Sequence, residues 1–300
     1  MIDCLIIGGG PAGATAAVYV ARAGLGAVVV YKDFGALETA ESVENFYGFV
    51  KIGGKALVER GLKQARKAGA KTIRDEVVGL KKEKSGVFTV ETVKKVYKCK
   101  TVLLAVGAAR NAPRIQGLKD FEGRGISYCA ICDGFFYRGK DVAVLGSGAY
   151  ALHEVKDLLP LASSVTVLTN GREPEIKFPA AVTIRTEKIR EITGAEKPAL
   201  PTIIKQPPAK TVSGITFETG EALPISGIFV ADGIANCTDL ALKIGAAINE
   251  NNSIQVDDKQ HTTIQGLWSA GDCTGGLKQI AKAAHEGTQA GISIIDFLRD

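Results

Sequence analysis

The pattern that most constrains this chain is G-x-G-x-x-G, which lies near the N-terminus between a short apolar run and an alanine-rich stretch. Residues 5–7 predict a buried strand, Gly8, Gly10 and Gly13 follow it, and residues 14–23 predict a helix. Residues 27–31 predict a second strand and complete a βαβ unit. Glycines at these positions let the backbone approach a pyrophosphate at the helix N-terminus. The chain therefore begins with a nucleotide-binding α/β unit.

The same pattern returns in the middle of the chain. Residues 142–145 predict a strand, "GSGAYA" (residues 146–151) gives G-x-G-x-x-A, a helix runs to Pro160, and residues 165–169 predict the next strand. Tyr150 is bulky where a small residue suits a nicotinamide dinucleotide. After the second strand, "TNG" (residues 169–171) offers no acid for a ribose hydroxyl and no arginine pair for a 2′-phosphate. This predicts a second doubly wound domain that does not bind NADPH.

The length and charge of the chain limit the classes of protein to which it can belong. With 300 residues it can form two domains, and no apolar run approaches the roughly 18 residues of a membrane span. The net charge of +5 is mild, and basic and aromatic residues do not alternate as they do in nucleic-acid-binding proteins. The N-terminus has no basic flank of a secretory signal. We expect a cytoplasmic protein that binds neither nucleic acid nor membrane.

A Cys-x-x-Cys pair followed by an acid, "SYCAICDG", suggests three kinds of site: half of a zinc site, a structural disulfide, or a redox dithiol. Zinc needs two more ligands, and no second pair has a suitable spacing, so we expect no metal. An inert disulfide does not suit a reducing compartment. We therefore interpret Cys129 and Cys132 as a redox pair and Asp133 as its proton shuttle. Cys4 and Cys99 are interpreted as bystanders and Cys273 as a packing residue, and Cys237 is placed where the chain returns between the domains.

A C-terminal segment carries a second nucleotide signal. Residues 267–270 predict a strand, Gly271 and Asp272 end it, and residues 278–298 predict a helix. An aspartate in this position can accept hydrogen bonds from the sugar-alcohol chain of a flavin nucleotide, and the positive helix N-terminus favours the reduced, anionic flavin. Both ends of the chain are therefore expected to build one domain.

These blocks together resemble the low-molecular-weight thioredoxin reductases. The similar blocks occur in family order over nearly the whole chain: "GGGPAG", "SVENFYGF", "GRGISYCAICDGFFY", "AGDC" and "KQIAKAAHEG". The resemblance implies two Rossmann-like domains, the second inserted in the first, and a homodimer. The linkers predict an FAD domain of residues 1–113 and 236–300, and an inserted NAD(P)-type domain of residues 114–235.

The resemblance also implies residue roles. Cys132 would face the flavin, Cys129 would exchange with the partner's disulfide, and Asp133 would move the proton beside Cys132. The residues expected to bind FAD are Gly8, Gly10, Pro11, Ala12, Gly13, Asn45, Gly271, Asp272, Gln279 and Ile280.

The departures from the family pattern concern the electron donor. The usual His-Arg-Arg is replaced at residues 169–171, as in branches that take electrons from reduced ferredoxin or a deazaflavin, and His285 replaces a glycine. We therefore predict an FAD-dependent reductase of a thioredoxin-like protein, with reduced ferredoxin or another non-NADPH donor. The alternatives are an NADPH-dependent reductase with an atypical site, a dithiol oxidase that uses oxygen, and a non-catalytic redox sensor.

Overall fold

The computed structural model describes residues 1–107, 113–196, 210–233 and 237–300, and only the backbone of Cys132. The chain divides into two compact units: unit 1 is Met1–Arg110 with Asn236–Asp300, and unit 2 is Asn111–Ala235. The predicted domain boundaries, at residues 113/114 and 235/236, border or fall within undescribed residues and stay a prediction.

The helices and strands are numbered in chain order. The helices are α1 (Pro11–Arg22), α2 (Gly54–Lys67), α3 (Ala130–Asp133), α4 (Ala149–Leu158), α5 (Cys237–Leu242) and α6 (Ile280–Arg299). The strands are β1 (Ile2–Ile7), β2 (Ala27–Tyr31), β3 (Lys71–Arg74), β4 (Val77–Lys82), β5 (Phe88–Thr92), β6 (Val96–Leu104), β7 (Ile126–Ser127), β8 (Asp141–Leu145), β9 (Ser164–Leu168), β10 (Thr183–Arg185), β11 (Ile189–Glu196), β12 (Lys210–Phe217), β13 (Ala222–Pro224), β14 (Gly227–Val230) and β15 (Leu267–Ser269).

Unit 1 is built on one sheet of order β3-β2-β1-β6-β5-β4, with β15 also paired to β6. Strands β1, β2, β3, β6 and β15 are parallel, whereas β4 and β5 form an antiparallel arm. The apolar runs of β1 and β2 are buried because helices cover the sheet, as parallel strands require. The carboxyl ends of β1 and β15 both pair beside β6, which brings the two termini of the chain into one unit.

Helix α6 packs closely against α1 in unit 1. A Cβ atom added at Gly287 would lie 2.2 Å from the carbonyl oxygen of Ala12, so only glycine allows this approach. The facing side of α1 consists largely of buried alanines, including Ala12, Ala16 and Ala17. Small residues on both helices therefore fix the position of α6 relative to the first glycine loop.

Unit 2 contains a parallel sheet of order β10-β9-β8-β14-β7 and a three-stranded antiparallel sheet of order β11-β12-β13. Helix α4 connects β8 to β9, as the second glycine motif predicts. The predicted fold class, two doubly wound α/β domains with the second inserted in the first, is confirmed. Among the described residues, no helix combines the length and apolarity needed to cross a bilayer.

Candidate active site

The first glycine loop joins β1 to α1 and leaves a gap at the helix N-terminus. Gly8 has a φ of +113°, and a Cβ atom there would lie 2.2 Å from the carbonyl oxygen of Ala105. A Cβ atom on Gly13 would lie 2.0 Å from the carbonyl oxygen of Gly8. A Cβ atom on Gly10, in contrast, would meet no described atom within 4 Å, its chain neighbours aside. The loop is thus tightly packed everywhere except beside Gly10.

The open space at Gly10 is suited to a phosphate. Gly10 is the N-cap residue of α1, Pro11 occupies the first turn, Ala12 and Gly13 are buried behind it, and no described side chain caps the helix. The first N–H groups of a helix have no partner within the helix, and they carry its positive dipole end. These features together form an anion site of the kind that binds a dinucleotide pyrophosphate.

The predicted aspartate lies on a short 3-10 turn, Gly271–Thr274, that follows β15. Gly271 has a φ of +84°, which favours glycine, and Asp272 is half-buried. Two residues of α6 hold the turn in place. Lys282 Nζ donates to the carbonyl oxygen of Gly271 at 2.9 Å, and the Glu286 carboxylate accepts the Gly271 N–H at 2.8 Å. Lys282 and Glu286 also form an ion pair at 3.0 Å, so the turn is rigidly held.

The start of α6 brings three predicted residues near the first glycine loop. Gln279 is the N-cap residue of α6, and its side-chain oxygen accepts a hydrogen bond from Asn45 Nδ2 at 3.2 Å. A cleft of about 230 Å³ is lined by Gly10, Pro11 and Ile280, among others. The structure therefore gathers the N-terminal loop, the Asn45 segment and the first residue of α6. His285 lies exposed on α6, and its neighbour Glu286 makes the contact to the turn.

In unit 2, the Cys-x-x-Cys motif begins at the end of β7. Cys129 is buried and disulfide-bonded, whereas the side chain of Cys132 lies outside the described part of the structure. Helix α4 supports the backbone here at two points. Tyr150 Oη donates to the carbonyl oxygen of Tyr128 at 3.2 Å, and the Glu154 carboxylate accepts the N–H of Ala130 at 2.7 Å. Both supporting side chains are almost fully buried, so α4 fixes the motif from behind.

Asp133 is held by Ser127, a residue that the sequence did not single out. Ser127 Oγ donates to Asp133 Oδ2 at 2.7 Å and accepts the N–H of Cys129 at 3.1 Å. The serine therefore links the predicted proton shuttle to the backbone of a predicted redox cysteine. Burial and the nearby Asp133 carboxylate raise the pKa of Tyr137, so this phenol remains protonated and neutral at physiological pH. Ser127, Asp133 and Tyr137 all line one cleft of about 730 Å³.

The second glycine loop differs from the first at the position of the gap. Gly148 is the N-cap residue of α4, as Gly10 is of α1, but a Cβ atom on Gly148 would lie 3.1 Å from Glu175 Oε2. The segment that carries Glu175 is hydrogen-bonded to the loop. The backbone N–H of Glu175 donates to the carbonyl oxygen of Ser147 at 2.9 Å, and Ser147 Oγ donates to Glu175 Oε1 at 2.7 Å. A carboxylate therefore lies at the position that corresponds to the gap in the first loop.

The segment after β9, where the family pattern has the cations for a 2′-phosphate, forms its hydrogen bonds and its ion pair within unit 2. Asn170 Oδ1 accepts the N–H of Ile189 at 2.8 Å, and Thr169 Oγ1 donates to the carbonyl oxygen of Arg172. Arg172, the one nearby arginine of the motif, forms an ion pair with Asp232. The segment thus presents no pair of free cations to a phosphate.

Comparisons with known proteins identify the family. The model of the pyridine nucleotide-disulphide oxidoreductase family matches residues 2–287. This chain belongs to that family. It is 31% identical to a thioredoxin reductase of Aquifex aeolicus over 304 residues, covering 99% of this chain and 93% of that protein.

Two solved structures extend the comparison. An atypical thioredoxin reductase, TRi, from Desulfovibrio vulgaris Hildenborough is similar with a TM-score of 0.90 and 34% identity, covering 100% of this chain and 98% of that one. A ferredoxin-flavin thioredoxin reductase from Clostridium acetobutylicum is similar with a TM-score of 0.71 and 29% identity, covering 99% and 98%. The predicted family is confirmed, and the chain is a flavin-dependent oxidoreductase of the thioredoxin reductase type.

The cofactor of such an oxidoreductase is FAD, and the residues of unit 1 fit it. The gap at Gly10 suits the pyrophosphate, and the rigid turn presents the Asp272 carboxylate as a hydrogen-bond acceptor. The Asn45–Gln279 pair offers amide groups at the N-terminus of α6. The roles of these individual residues stay a prediction.

The structure also contains a disulfide that the sequence analysis missed. Cys273, interpreted above as a packing residue, is bonded to Cys237 across 36 residues. Their spacing carries no motif, because the bond depends on the tertiary contact between α5 and the Gly271–Thr274 turn. Among the cysteines whose side chains the structure describes, Cys4 and Cys99 are free and buried, and burial raises the pKa of each thiol to about 12.

Proposed function

We propose that this chain is an FAD-dependent reductase of a thioredoxin-like protein, and that its electron donor is reduced ferredoxin or a similar non-NADPH donor. The observation that carries the proposal is the contrast between the two glycine loops. The first loop has a gap at Gly10, whereas Glu175 lies over the corresponding residue, Gly148, in the second. One dinucleotide site is therefore open, and it suits FAD.

The charge at the second loop opposes a second dinucleotide. The Glu175 carboxylate would repel a pyrophosphate at the N-terminus of α4, and Asp232 pairs with Arg172, the cation within residues 169–172. Buried Tyr150 adds bulk at the same helix end. These observations support a donor that does not bind in this loop, and they disfavour the alternative of an NADPH-dependent enzyme.

FAD held by unit 1 and reduced by its donor would supply the electron pair that converts the Cys129–Cys132 disulfide to two thiols. The Cys129 thiolate then attacks one sulfur of the partner's disulfide, which forms a mixed disulfide and releases the partner's first thiolate. The Cys132 thiolate attacks Cys129 Sγ in turn and releases the second. Asp133 delivers and accepts the protons, and its Ser127 hydrogen bond of 2.7 Å holds the carboxylate in position.

The surface around the motif supports a protein partner rather than a small dithiol. Ile131, Phe135 and Phe136 are large apolar side chains near Cys129, and each is more than half exposed. Exposed apolar side chains in one neighbourhood are typical of a protein-binding surface. We therefore favour a thioredoxin-like protein as the substrate over the small dithiol that an oxidase would use. A homodimer and a cytoplasmic location follow from the resemblance to thioredoxin reductases and are part of the proposal.

An anaerobic titration tests the donor. The purified FAD protein is mixed with NADPH, NADH or reduced ferredoxin in parallel, and flavin absorbance is followed. We expect reduced ferredoxin to bleach the flavin and the nicotinamides to bleach it poorly. Fast, complete bleaching by micromolar NADPH would overturn the donor assignment.

Two cysteine variants test the thiol chemistry. Cys132→Ser is expected to accumulate a mixed disulfide between Cys129 and thioredoxin, visible on a non-reducing gel. Cys129→Ser, the matched control, is expected to form none, because its remaining thiol is not the attacking one. A mixed disulfide in Cys129→Ser but not in Cys132→Ser would reverse the two roles.

A further inference from the structure

The Cys237–Cys273 disulfide joins two segments of unit 1, the start of α5 and the Gly271–Thr274 turn. Cys237 begins α5 and is the first described residue where the chain returns to unit 1. Cys273 is the neighbour of Asp272 on the 3-10 turn, and the two Cα atoms are 5.8 Å apart. Both cysteines are buried. The bond therefore ties the returning chain to the turn that we assign to FAD binding.

A backbone carbonyl lies within hydrogen-bond distance of both sulfurs. The oxygen of Gly107, the last described residue before residues 108–112, is 3.4 Å from Cys237 Sγ and 3.3 Å from Cys273 Sγ. A disulfide has no hydrogen to donate to this oxygen, whereas two thiols have one each. Reduction would therefore add hydrogen bonds at a partly buried carbonyl without a rearrangement of the backbone. The surroundings suit the dithiol state as well as the bonded one.

We propose that Cys237 and Cys273 form a second redox site, distinct from the Cys129–Cys132 pair, whose state controls how firmly unit 1 holds FAD. The reductant is a dithiol. Its two thiols form a disulfide, the Cys237–Cys273 bond accepts the electron pair and breaks, and the two protons pass to the new thiols. This proposal rests on the proposed function for the assignment of the Asp272 turn to FAD.

The consequence for the turn follows from its contacts. In the oxidised state a covalent bond holds Cys273, in addition to the hydrogen bonds that join Gly271 of the same turn to Lys282 and Glu286. In the reduced state only the noncovalent contacts remain. We expect FAD to bind about fivefold more weakly when the pair is reduced, at the lower end of the usual coupling between two sites.

The experiment uses the FAD-loaded Cys129→Ser/Cys132→Ser double variant, in which Cys237–Cys273 is the remaining disulfide. The folded protein is equilibrated for hours in buffers of reduced and oxidised dithiothreitol, because buried sulfurs exchange slowly. Thiols are then alkylated under denaturing conditions and counted by mass spectrometry. We expect two additional thiols, at Cys237 and Cys273, to appear together as the buffer becomes more reducing, while Cys4 and Cys99 remain thiols throughout.

FAD retention is measured on the same samples by the flavin fluorescence released on dilution. A fivefold weaker retention in the reduced samples supports the proposal, and Cys273→Ser is expected to abolish the dependence on the buffer. Two results would overturn it: a disulfide that persists in every buffer while the protein stays folded, or equal FAD retention in both states.

The design separates this inference from the proposed function. The double variant lacks the pair proposed to reduce thioredoxin, so its thiol titration does not depend on that activity. Wild-type protein that shows the Cys237–Cys273 transition but reduces no thioredoxin would refute the proposed function alone. Wild-type protein that reduces thioredoxin, without a transition at Cys237–Cys273, would refute the second redox site alone.

Discussion

Replacing Glu175 with glutamine tests whether charge keeps NADPH from the second glycine loop. Glu175 Oε2 lies 3.1 Å from the position of a Cβ atom on Gly148, so we take a pyrophosphate at this helix N-terminus to lie ~4 Å from the carboxylate. Two unit charges at that distance repel by ~4 kcal/mol at an effective dielectric constant of 20. Glu175 is exposed, so solvent and salt reduce this to ~1 kcal/mol. The expected gain in NADPH affinity is therefore about fivefold.

The assay is equilibrium dialysis of NADPH against the FAD-loaded protein at low and at high salt. We expect Glu175→Gln to bind NADPH about fivefold more tightly at low salt, and the gain to shrink at high salt as screening increases. Affinity should remain weak overall, because Tyr150 and the Arg172–Asp232 ion pair are unchanged. Glu173→Gln, an exposed acid on the same segment, is the matched control and should change little.

Two results would refute this reasoning. Micromolar binding by Glu175→Gln would mean that a single carboxylate closes an otherwise complete NADPH site. No change in affinity at either salt concentration would mean that charge at Gly148 is not what excludes the dinucleotide.

Four further predictions concern Ser127 and Tyr150, which contact the redox motif, and the buried thiols of Cys4 and Cys99 in unit 1. Ser127→Ala removes the donor to Asp133 Oδ2, so thioredoxin reduction should slow about tenfold and its pH profile should shift, whereas Ser226→Ala on the same cleft should leave both unchanged. Tyr150→Phe keeps the buried ring but leaves the Tyr128 carbonyl without this donor, which should lower the free energy of unfolding by about 1 kcal/mol in urea titrations. Burial raises the pKa of Cys4 and Cys99 from 9.0 to about 12, so iodoacetamide at pH 8 should leave both unmodified in the folded protein. Because these pKa values are raised, the stability that the two thiols contribute is complete below pH 9 and is lost as pH rises through 12, which alkaline unfolding curves measure.

The local pattern of the sequence was sufficient for the two βαβ units. Apolar runs of strand length, glycines at fixed spacing and alanine-rich helices are local features, so β1, α1, β8 and α4 appear close to their predicted positions. The start of α1 at Pro11 rather than near residue 14 reflects the preference of proline for the first helical turn. The glycine motif itself therefore forms the helix N-terminus.

Contacts between distant segments could not be predicted in this way. Tyr150 was interpreted only as bulk at the nucleotide loop, because no periodic pattern indicates that its hydroxyl reaches Tyr128. The disulfide between Cys237 and Cys273 depends on α5 and the Gly271–Thr274 turn meeting beside the end of β6. Ser127 likewise becomes a candidate only when α3 returns Asp133 to it. Each of these depends on tertiary packing, and none of them on local spacing.

The two units have the same strand–glycine loop–helix topology, but the helix after the loop has a different role in each. In unit 1, the helix after the glycine loop presents its N-terminus to an open gap at Gly10. In unit 2, Tyr150 and Glu154 are four residues apart, hence on one face of α4, and both hold the backbone of residues 128–130. A small residue at position 150 would match the pattern of a dinucleotide-binding loop but would remove one of these two supports. The 2′-phosphate clamp is missing from the segment after β9, so restoring an NADPH site would need changes there as well as at position 150, and the change at position 150 would weaken the support of the redox motif.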